Sequence, residues 1–573
     1  MDNREKIWQV KHEPPSASWL AGKLGKSRLL ASLLIHRRVS TPDAARLFLS
    51  PKLAELRDPF LLKDMDRAVQ LITACIKNRE RITVYGDYDA DGITATALLL
   101  DFLSRLQTPI SFYIPHRLEE GYSLNEAAVR ELASGDTRLI TTVDCGISSA
   151  PEVALAQELG MEVIVTDHHQ PPADFEPRCP TINPARPDCP FPFKELSGVG
   201  VAFYLIIALR ASLREEGFFG SESEPDLKPY LDLVALGTVA DIVPLVEENR
   251  ILVKNGLLVV KEARRPGIRA LLRVSGIREG QEITTHDIAF RLAPRLNAMG
   301  RLGSVTRAVR LLTTDDEAEA AEIANQMDSL NAQRQAIENR ILSEVRQRIA
   351  RIGDFEKRRT IVLSDPSWHR GVVGIVASKI VEECCRPTLI LEAEGELLRG
   401  SGRSIEGFNL YQALSDLSEL LSQFGGHQHA AGLALGMENL NEFCQGFEEL
   451  ARERLDSEDM VPRIDIDARL GLESISPQLI SELEELPPFG HQNPQPIFWA
   501  GPLEVVSSRV VGNDHLKLRI REKGLTFDCI AFGKGPLHPL EGKSVDILFN
   551  VGTNTWQGIE SIQLVITDLR LNP

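Results

Sequence analysis

Three aspartates stand two residues apart in the stretch 84-VYGDYDADGITATAL-98, namely Asp87, Asp89 and Asp91. Carboxylates this close raise one another's pKa values unless water screens them or a cation sits among them. One acid at the end of an apolar run is most often a helix cap. Here the pattern recurs: Asp144 follows 138-RLITTV-143, Asp167, His168 and His169 follow 162-EVIVT-166, and Asp241 ends 230-YLDLVALGTVAD-241. Oxygen ligands mixed with imidazole, and no cysteine, suit Mn or Mg better than Zn or Fe. A calcium loop fits poorly, because DYDADG lacks the later glutamate and the flanking helix pair of that motif. Neighbouring side chains rarely point the same way, so His168 and His169 need separate roles: one can ligate while the other meets substrate.

Such a site needs elements that bring its parts together. Short apolar runs at 81–86, 110–115, 138–143 and 162–167 alternate with helical patterns at roughly 93–106, 123–133, 147–160 and 196–213. That alternation predicts a parallel sheet covered on both faces, with the active crevice beyond the carboxyl ends of the strands. The acidic and histidine clusters all fall at those ends. Residues 1–70 read as a helical segment in which Thr41 and Pro42 start a helix. The expected divisions are a catalytic domain over 71–330, a connector helix over 315–352, a second α/β domain over 353–455, and a linker with a small β-barrel over 456–573. The last expectation rests on several short strand-like runs separated by turns.

The chain has 573 residues, 25% of them charged, and a net charge of −17. An acidic balance ordinarily counts against a nucleic-acid partner. The charge is uneven, however: residues 441–488 hold 13 acidic and 4 basic side chains, whereas 334–359 hold 8 basic and 4 acidic ones. A local basic track is therefore compatible with the composition. Eight cysteines without a CxxC pair fit a reducing compartment, and no apolar run approaches the length of a membrane span. A cytoplasmic location is expected.

The combination of GDYDADG, VDCG and VTDHH, in this order and spacing, resembles the DHH phosphoesterases. With 235-ALGTVADIVPL-245 and 291-RLAPRLNAMGR-301, the likeness extends over nearly the whole chain to the RecJ family of single-strand-specific 5′→3′ DNA exonucleases. The resemblance implies two divalent ions, Mn2+ or Mg2+, and phosphodiester hydrolysis by two-metal catalysis. It gives Asp89 and Asp91 one metal each, makes Asp144 the bridging carboxylate, His168 the ligating imidazole and Asp241 the last ligand, and brings His169 to the scissile phosphate. Either Asp87 or water completes the first metal's shell. Asp167 is expected to support a histidine rather than to ligate.

Gly-rich turns beside His and Arg in 368-WHRGVVGIVASKI-380, 399-RGSGRS-404 and 425-GGHQHAAG-432 can approach phosphates closely. These segments resemble the DHHA1 domain that accompanies DHH domains, which implies that His369, Arg403, Gly426 and His427 line the substrate cleft. Arg295 and Arg301 are candidates for holding the 5′ end. The tail resembles the OB-fold of this family, with His515, Lys517, Arg519 and Trp556 as candidate strand contacts. Implied partners are single-stranded DNA with a free 5′ end and, by family resemblance, a RecQ-type helicase and a single-strand-binding protein, with the enzyme itself a monomer. The rival enzymatic reading is a DHH phosphodiesterase of nanoRNA or cyclic dinucleotides. A DNA-binding scaffold with a lapsed site is the rival of another class.

Overall fold

In the computed structural model, the described residues are 6–117, 120–121, 123–220, 224–556 and 559–572, and the side chains of 553–560 lie outside the description. The first sheet has five strands, all parallel, in the order Ile110–Tyr113, Arg81–Tyr85, Thr137–Thr142, Glu162–Thr166, Thr181–Ile182. The first strand in sequence is flanked by the second and third, so the order reverses between Arg81–Tyr85 and Thr137–Thr142. A crevice opens where strand order reverses, and the expected acid clusters sit on it. Helices Ala90–Ser104 and Gly198–Glu215 cover one face, packing with Ile82, Val84, Leu139 and Ile164. Helices Glu126–Ser134 and Ala150–Glu158 cover the other, packing with Tyr85, Ile140, Val163 and Val165.

The helix Glu317–Ala350 has 34 residues, which at the helical rise is about 50 Å. Its two halves belong to different cores. Ala320, Ile323, Ala324 and Met327 pack with the first domain, while Ile341, Leu342, Val345 and Ile349 pack with Trp368 and the helix Arg370–Cys384 of the second. A helix whose apolar stripe serves one lobe and then the other is a rigid strut between them.

The second sheet runs Gln423–Gly426, Ala430–Gly436, Leu397–Arg403, Thr388–Glu394, Ile361–Asp365, with only the last pair parallel. The third closes on itself: Phe498–Val511 pairs with both His515–Glu522 and Ser544–Trp556, and the latter also pairs with Ile559–Leu571. Closure removes the free edges that a small sheet would otherwise expose.

The N-terminal helices are not a free-standing lead-in. Leu20, Leu30, Leu33, Leu34 and Phe48 share one core with Leu472, Leu486, Phe498, Leu518 and Phe549 of the C-terminal region. The strand Ile7–Val10 pairs in parallel with Arg463–Ile466. Trp8 meets Trp499 edge to face at 5.5 Å, lies under Arg570 at 4.1 Å, and donates its indole N–H to Asp568 at 2.9 Å. All eight cysteines are free, and among the described residues no helix is long and apolar enough to cross a membrane.

Trp8→Ala removes the edge contact, the cation–π contact and the hydrogen bond together, so it should lower the stability of the barrel by about 2 kcal/mol. Hydrogen exchange reads the outcome: protection falls in 498–511 and 544–551 and stays unchanged in 137–142. A uniform loss, or none, contradicts a core shared by the two ends of the chain.

Candidate metal centre

The first acids follow directly from the strand Arg81–Tyr85. Asp89 caps the next helix, its Oδ1 accepting from the N–H groups of Asp91 at 2.9 Å and Gly92 at 3.1 Å. Asp91 lies inside the first turn and accepts from Gly198 N at 2.6 Å and Val199 N at 2.9 Å. These are the opening N–H groups of the helix Gly198–Glu215, whose positive end favours a carboxylate. Asn297 of the RLNAMGR motif accepts from Ala90 N at 2.8 Å and fixes the turn from the other side.

The remaining groups converge on these two. Asp144 adopts φ +61°, a left-handed conformation that aspartate tolerates. His168 Nε2 lies 3.1 Å from Asp144 Oδ1 and 3.5 Å from Asp241 Oδ2. Small residues make the convergence possible: a Cβ on Gly198 would lie 2.6 Å from Asp144 Oδ1, and one on Gly237 would lie 2.6 Å from Asp91 Oδ1.

Two groupings of potential ligand atoms result, Asp87–Asp89–Asp144 and Asp91–His168–Asp241, each with all its atoms within 4.8 Å of one another. A third joins Asp144, His168 and His169. Asp87 Oδ1, His168 Nε2 and Asp241 Oδ2 are buried without a hydrogen-bond partner among the described residues. Buried polar atoms are normally satisfied, so three unsatisfied ones aimed at the same region mark a place for a cation. The electrostatics agree. Burial and Asp89 push the Asp87 carboxyl well above its usual range, and burial followed by Asp91 and Asp89 does the same to Asp144. Burial and Asp241 raise Asp91 to about 7, while burial and Asp89 raise Asp241 to about 8. Burial and the neighbouring His169 lower His168, which keeps its imidazole neutral and able to ligate. The donor set of carboxylate oxygen and imidazole nitrogen, without thiolate, fits Mn2+ or Mg2+.

Asp167 is a different kind of acid. It accepts from the N–H groups of Ile147, His168 and His169 at 2.9, 2.7 and 3.1 Å, and from His169 Nδ1 at 2.8 Å. Although buried, it stays ionised because those donors, His169 foremost, outweigh desolvation. In return the Asp167 hydrogen bond, working against burial, lifts His169 to about 9. Binding Nδ1 in this way turns Nε2 of His169 away from Asp167, toward where a substrate would lie.

The opposite wall of the cleft is cationic. Arg301 donates to Gly371 O at 2.7 Å, at the start of a helix capped by His369, whose Nδ1 accepts from Gly371 N at 3.0 Å. Burial, then the charges of Arg117, Arg334 and Arg403, bring the Arg301 guanidinium down to about 10, and Asp89 opposes them. Arg403 is lowered in the same way by burial and Arg117. Arg117 lies over the ring of Tyr88 at 4.8 Å. Desolvation and then the charge of His169 lower His427, on the hairpin of the second domain. Gly426, at φ +139°, forms the tight hairpin entry, where a Cβ would strike Ala430 O at 2.4 Å.

Arg295 is not among these cations. It binds Asp328 at 2.7 Å and the carbonyl of Arg291 at 2.5 Å, tying its helix to the long strut. Of the barrel candidates, His515 packs against Phe532 at 5.1 Å, Lys517 is half-buried, and Arg519 is exposed 3.9 Å from Asp528. The Trp556 side chain lies outside the described residues. Sequence reasoning missed Tyr88 and Arg117 as neighbours of the acids, and the N–H groups of Gly198 and Val199 as a carboxylate cradle. The run 196-LSGVG-200, a serine cap before two glycines, was the available signal for the cradle.

A switch-point sheet thus ends in a cluster of oxygen and imidazole ligands, with Arg117 and Arg301 of the same domain and Arg403 of the second domain close by. Residues 81–238 match the DHH family N-terminal domain, 358–453 the DHHA1 domain and 466–568 the RecJ OB domain. The chain is 38% identical over 570 residues to the Bacillus subtilis single-stranded-DNA-specific exonuclease RecJ, covering 98% of this chain and 70% of that protein. It is 39% identical over 526 residues to the Escherichia coli RecJ, covering 89% and 90%. The crystal structure of Thermus thermophilus RecJ in complex with Mn2+ superposes with a TM-score of 0.83 at 33% identity, over 100% of this chain and 80% of that one. The chain belongs to the RecJ family.

If repulsion among the acids is the dominant strain without metal, Asp144→Asn should raise the melting temperature in chelator by about 2–4 °C. The same variant should lose most of the stabilisation that Mn2+ gives the parent chain. Differential scanning fluorimetry with EDTA and with Mn2+ separates the two effects, and a fall in chelator contradicts the electrostatic account.

Proposed function

We propose that this chain is a metal-dependent exonuclease of the cytoplasm that degrades single-stranded DNA from its 5′ end and releases 5′-mononucleotides during DNA repair and recombination. The observation that carries this reading is the facing pair of surfaces. Buried, unsatisfied ligand atoms at Asp87, His168 and Asp241 lie near a set of arginines formed by Arg117 and Arg301 of the same domain and Arg403 of the second. Membership in the RecJ family, and the solved complexes of Thermus thermophilus RecJ with Mn2+ and with Mg2+, support the choice of substrate and cation.

In this reading Asp87, Asp89 and Asp144 hold one ion, and Asp91, His168 and Asp241 the other, with Asp144 shared between them. Two ions so held would polarise the scissile phosphate, bring water to it as nucleophile and neutralise developing charge. The protein's own residues supply the rest. His169, oriented by Asp167, donates toward a non-bridging phosphate oxygen. Arg301 and Arg403 bind the phosphates flanking the cut, and His427 closes the cleft from the second domain. The barrel face bearing His515, Lys517 and Arg519 holds the strand downstream, so that two linked surfaces act on one strand. A small cyclic dinucleotide would use neither the barrel nor the long strut. A duplex-opening helicase of the RecQ type and a single-strand-binding protein are natural partners, since they create and present a free 5′ end to a monomeric enzyme.

Single strands labelled at the 5′ or the 3′ end, incubated with Mn2+ or Mg2+ beside blunt duplex, short RNA and a cyclic dinucleotide, test the reading. Immediate release of the 5′ label as mononucleotide is expected, and Asp144→Ala should abolish it. Arg403→Gln should raise KM for the single strand about tenfold with a smaller change in kcat, because it removes a phosphate contact. Faster turnover of the RNA or the cyclic dinucleotide would replace this assignment, and binding without turnover would favour a scaffold.

A further inference from the structure

The turn that carries Asp241 is held by residues from the far end of the chain. The helix Leu231–Ala240 stops at Asp241, and Ile242 then adopts φ +62° with 71% of its surface exposed. A β-branched residue in the left-handed region is an outlier that persists only where its surroundings impose it. The surroundings are specific. Leu245 N donates to His491 O at 2.9 Å, and Asn249 Nδ2 donates to Pro244 O at 3.0 Å and Glu195 O at 2.6 Å. Thr285 Oγ1 donates to Phe489 O at 2.6 Å, and a Cβ on Gly490 would lie 2.6 Å from Leu245 Cδ1.

The loop that receives these contacts is itself clamped. Arg250, fully buried, donates to the carbonyls of Phe48 at 2.7 Å, Pro487 at 3.0 Å and Pro488 at 3.3 Å. Arg37 donates to Asn493 Oδ1 at 2.7 Å and Pro494 O at 2.6 Å, and Asn493 Nδ2 returns to Leu486 O and Pro488 O. A buried guanidinium whose hydrogen bonds all go to backbone carbonyls fixes the path of that backbone.

We propose that the loop 486–494, gripped by Arg250, is a positioning element for Asp241. It holds Ile242 in the left-handed region and thereby aims the Asp241 carboxylate at the point it shares with His168. Released, Ile242 relaxes to negative φ, the peptide after Asp241 swings, and the carboxylate leaves the site. This rests on the metal reading of the centre. It differs from simple interface packing in one respect: glycine adopts positive φ without steric cost, so Ile242→Gly makes the clamp dispensable for Asp241 but not for packing.

Calorimetric titration of the full chain with Mn2+, alongside its melting temperature, tests the proposal. The parent chain tests the metal reading by itself, because no Mn2+ uptake there overturns the centre as a whole. Given uptake, Arg250→Met should weaken Mn2+ binding about tenfold and Thr285→Val about threefold, as loss of outer supports of a ligand does. Adding Ile242→Gly to either should restore affinity to that of Ile242→Gly alone while the melting temperature stays low. If Arg250→Met does not fold, the Thr285→Val pair gives the same readout. Unchanged affinity in a folded clamp variant overturns the proposal, as does a double variant whose losses simply add.

Discussion

Mutual repulsion among carboxylates at one sheet edge is the constraint around which the catalytic half is organised. Burial raises the cost of each charge, and every neighbour adds to it. The protein answers in two ways. Asp167 is met by backbone N–H groups and by His169, so that its charge is compensated within the chain. Burial and Asp241 raise Asp91 to about 7, by contrast, even though it accepts from Gly198 and Val199. Asp87 and Asp241 keep buried oxygens without such donors. Compensation is thus withheld where a cation is to enter and granted where an acid must orient a histidine. The glycines at 198 and 237 serve the same end, since any larger residue would push the acids apart.

Across the cleft the problem is repeated with the opposite sign. Burial and the charges of Arg117, Arg334 and Arg403 lower Arg301, and burial and Arg117 lower Arg403. Each wall is uncomfortable alone, and a phosphodiester between them, with its cations, relieves both. The 34-residue strut keeps the walls in register because its apolar stripe is committed to one core and then to the other. An overall charge of −17 is therefore no guide to the cleft, where the local field decides.

Much of this was legible in the sequence, for a physical reason. Strand periodicity and the residues that end strands are local properties, so the acids at 87, 89, 91 and 144 and the histidines at 168 and 169 could be placed at one edge before any coordinates were known. Asp241, at the end of a helix, joined them only through the family resemblance. The duties of individual acids were harder to read. Asp167 was expected to support a histidine, but one of its four donors, the N–H of Ile147, comes from twenty positions away and has no sequence signal. Arg295 and Arg301 look equivalent in RLAPRLNAMGR, yet one reaches Asp328 and the other the second domain, a difference set by helix rotation and packing. The clamp by Arg250 was invisible, because carbonyl acceptors carry no residue type that a reader could recognise.

The parallel pairing of Ile7–Val10 with Arg463–Ile466 has a consequence for how the molecule is made. A ribosome releases the N-terminal helices before their partners, and their apolar faces have none until residues 470–566 have emerged. Domains generally fold as units during synthesis, N-terminal ones first. Here the catalytic and second domains can fold while the first fifty residues wait, exposed, for the barrel that completes their core. Birth order and assembly order are thus inverted at the N-terminus. The barrel's core closes only after the two domains that precede it have been made.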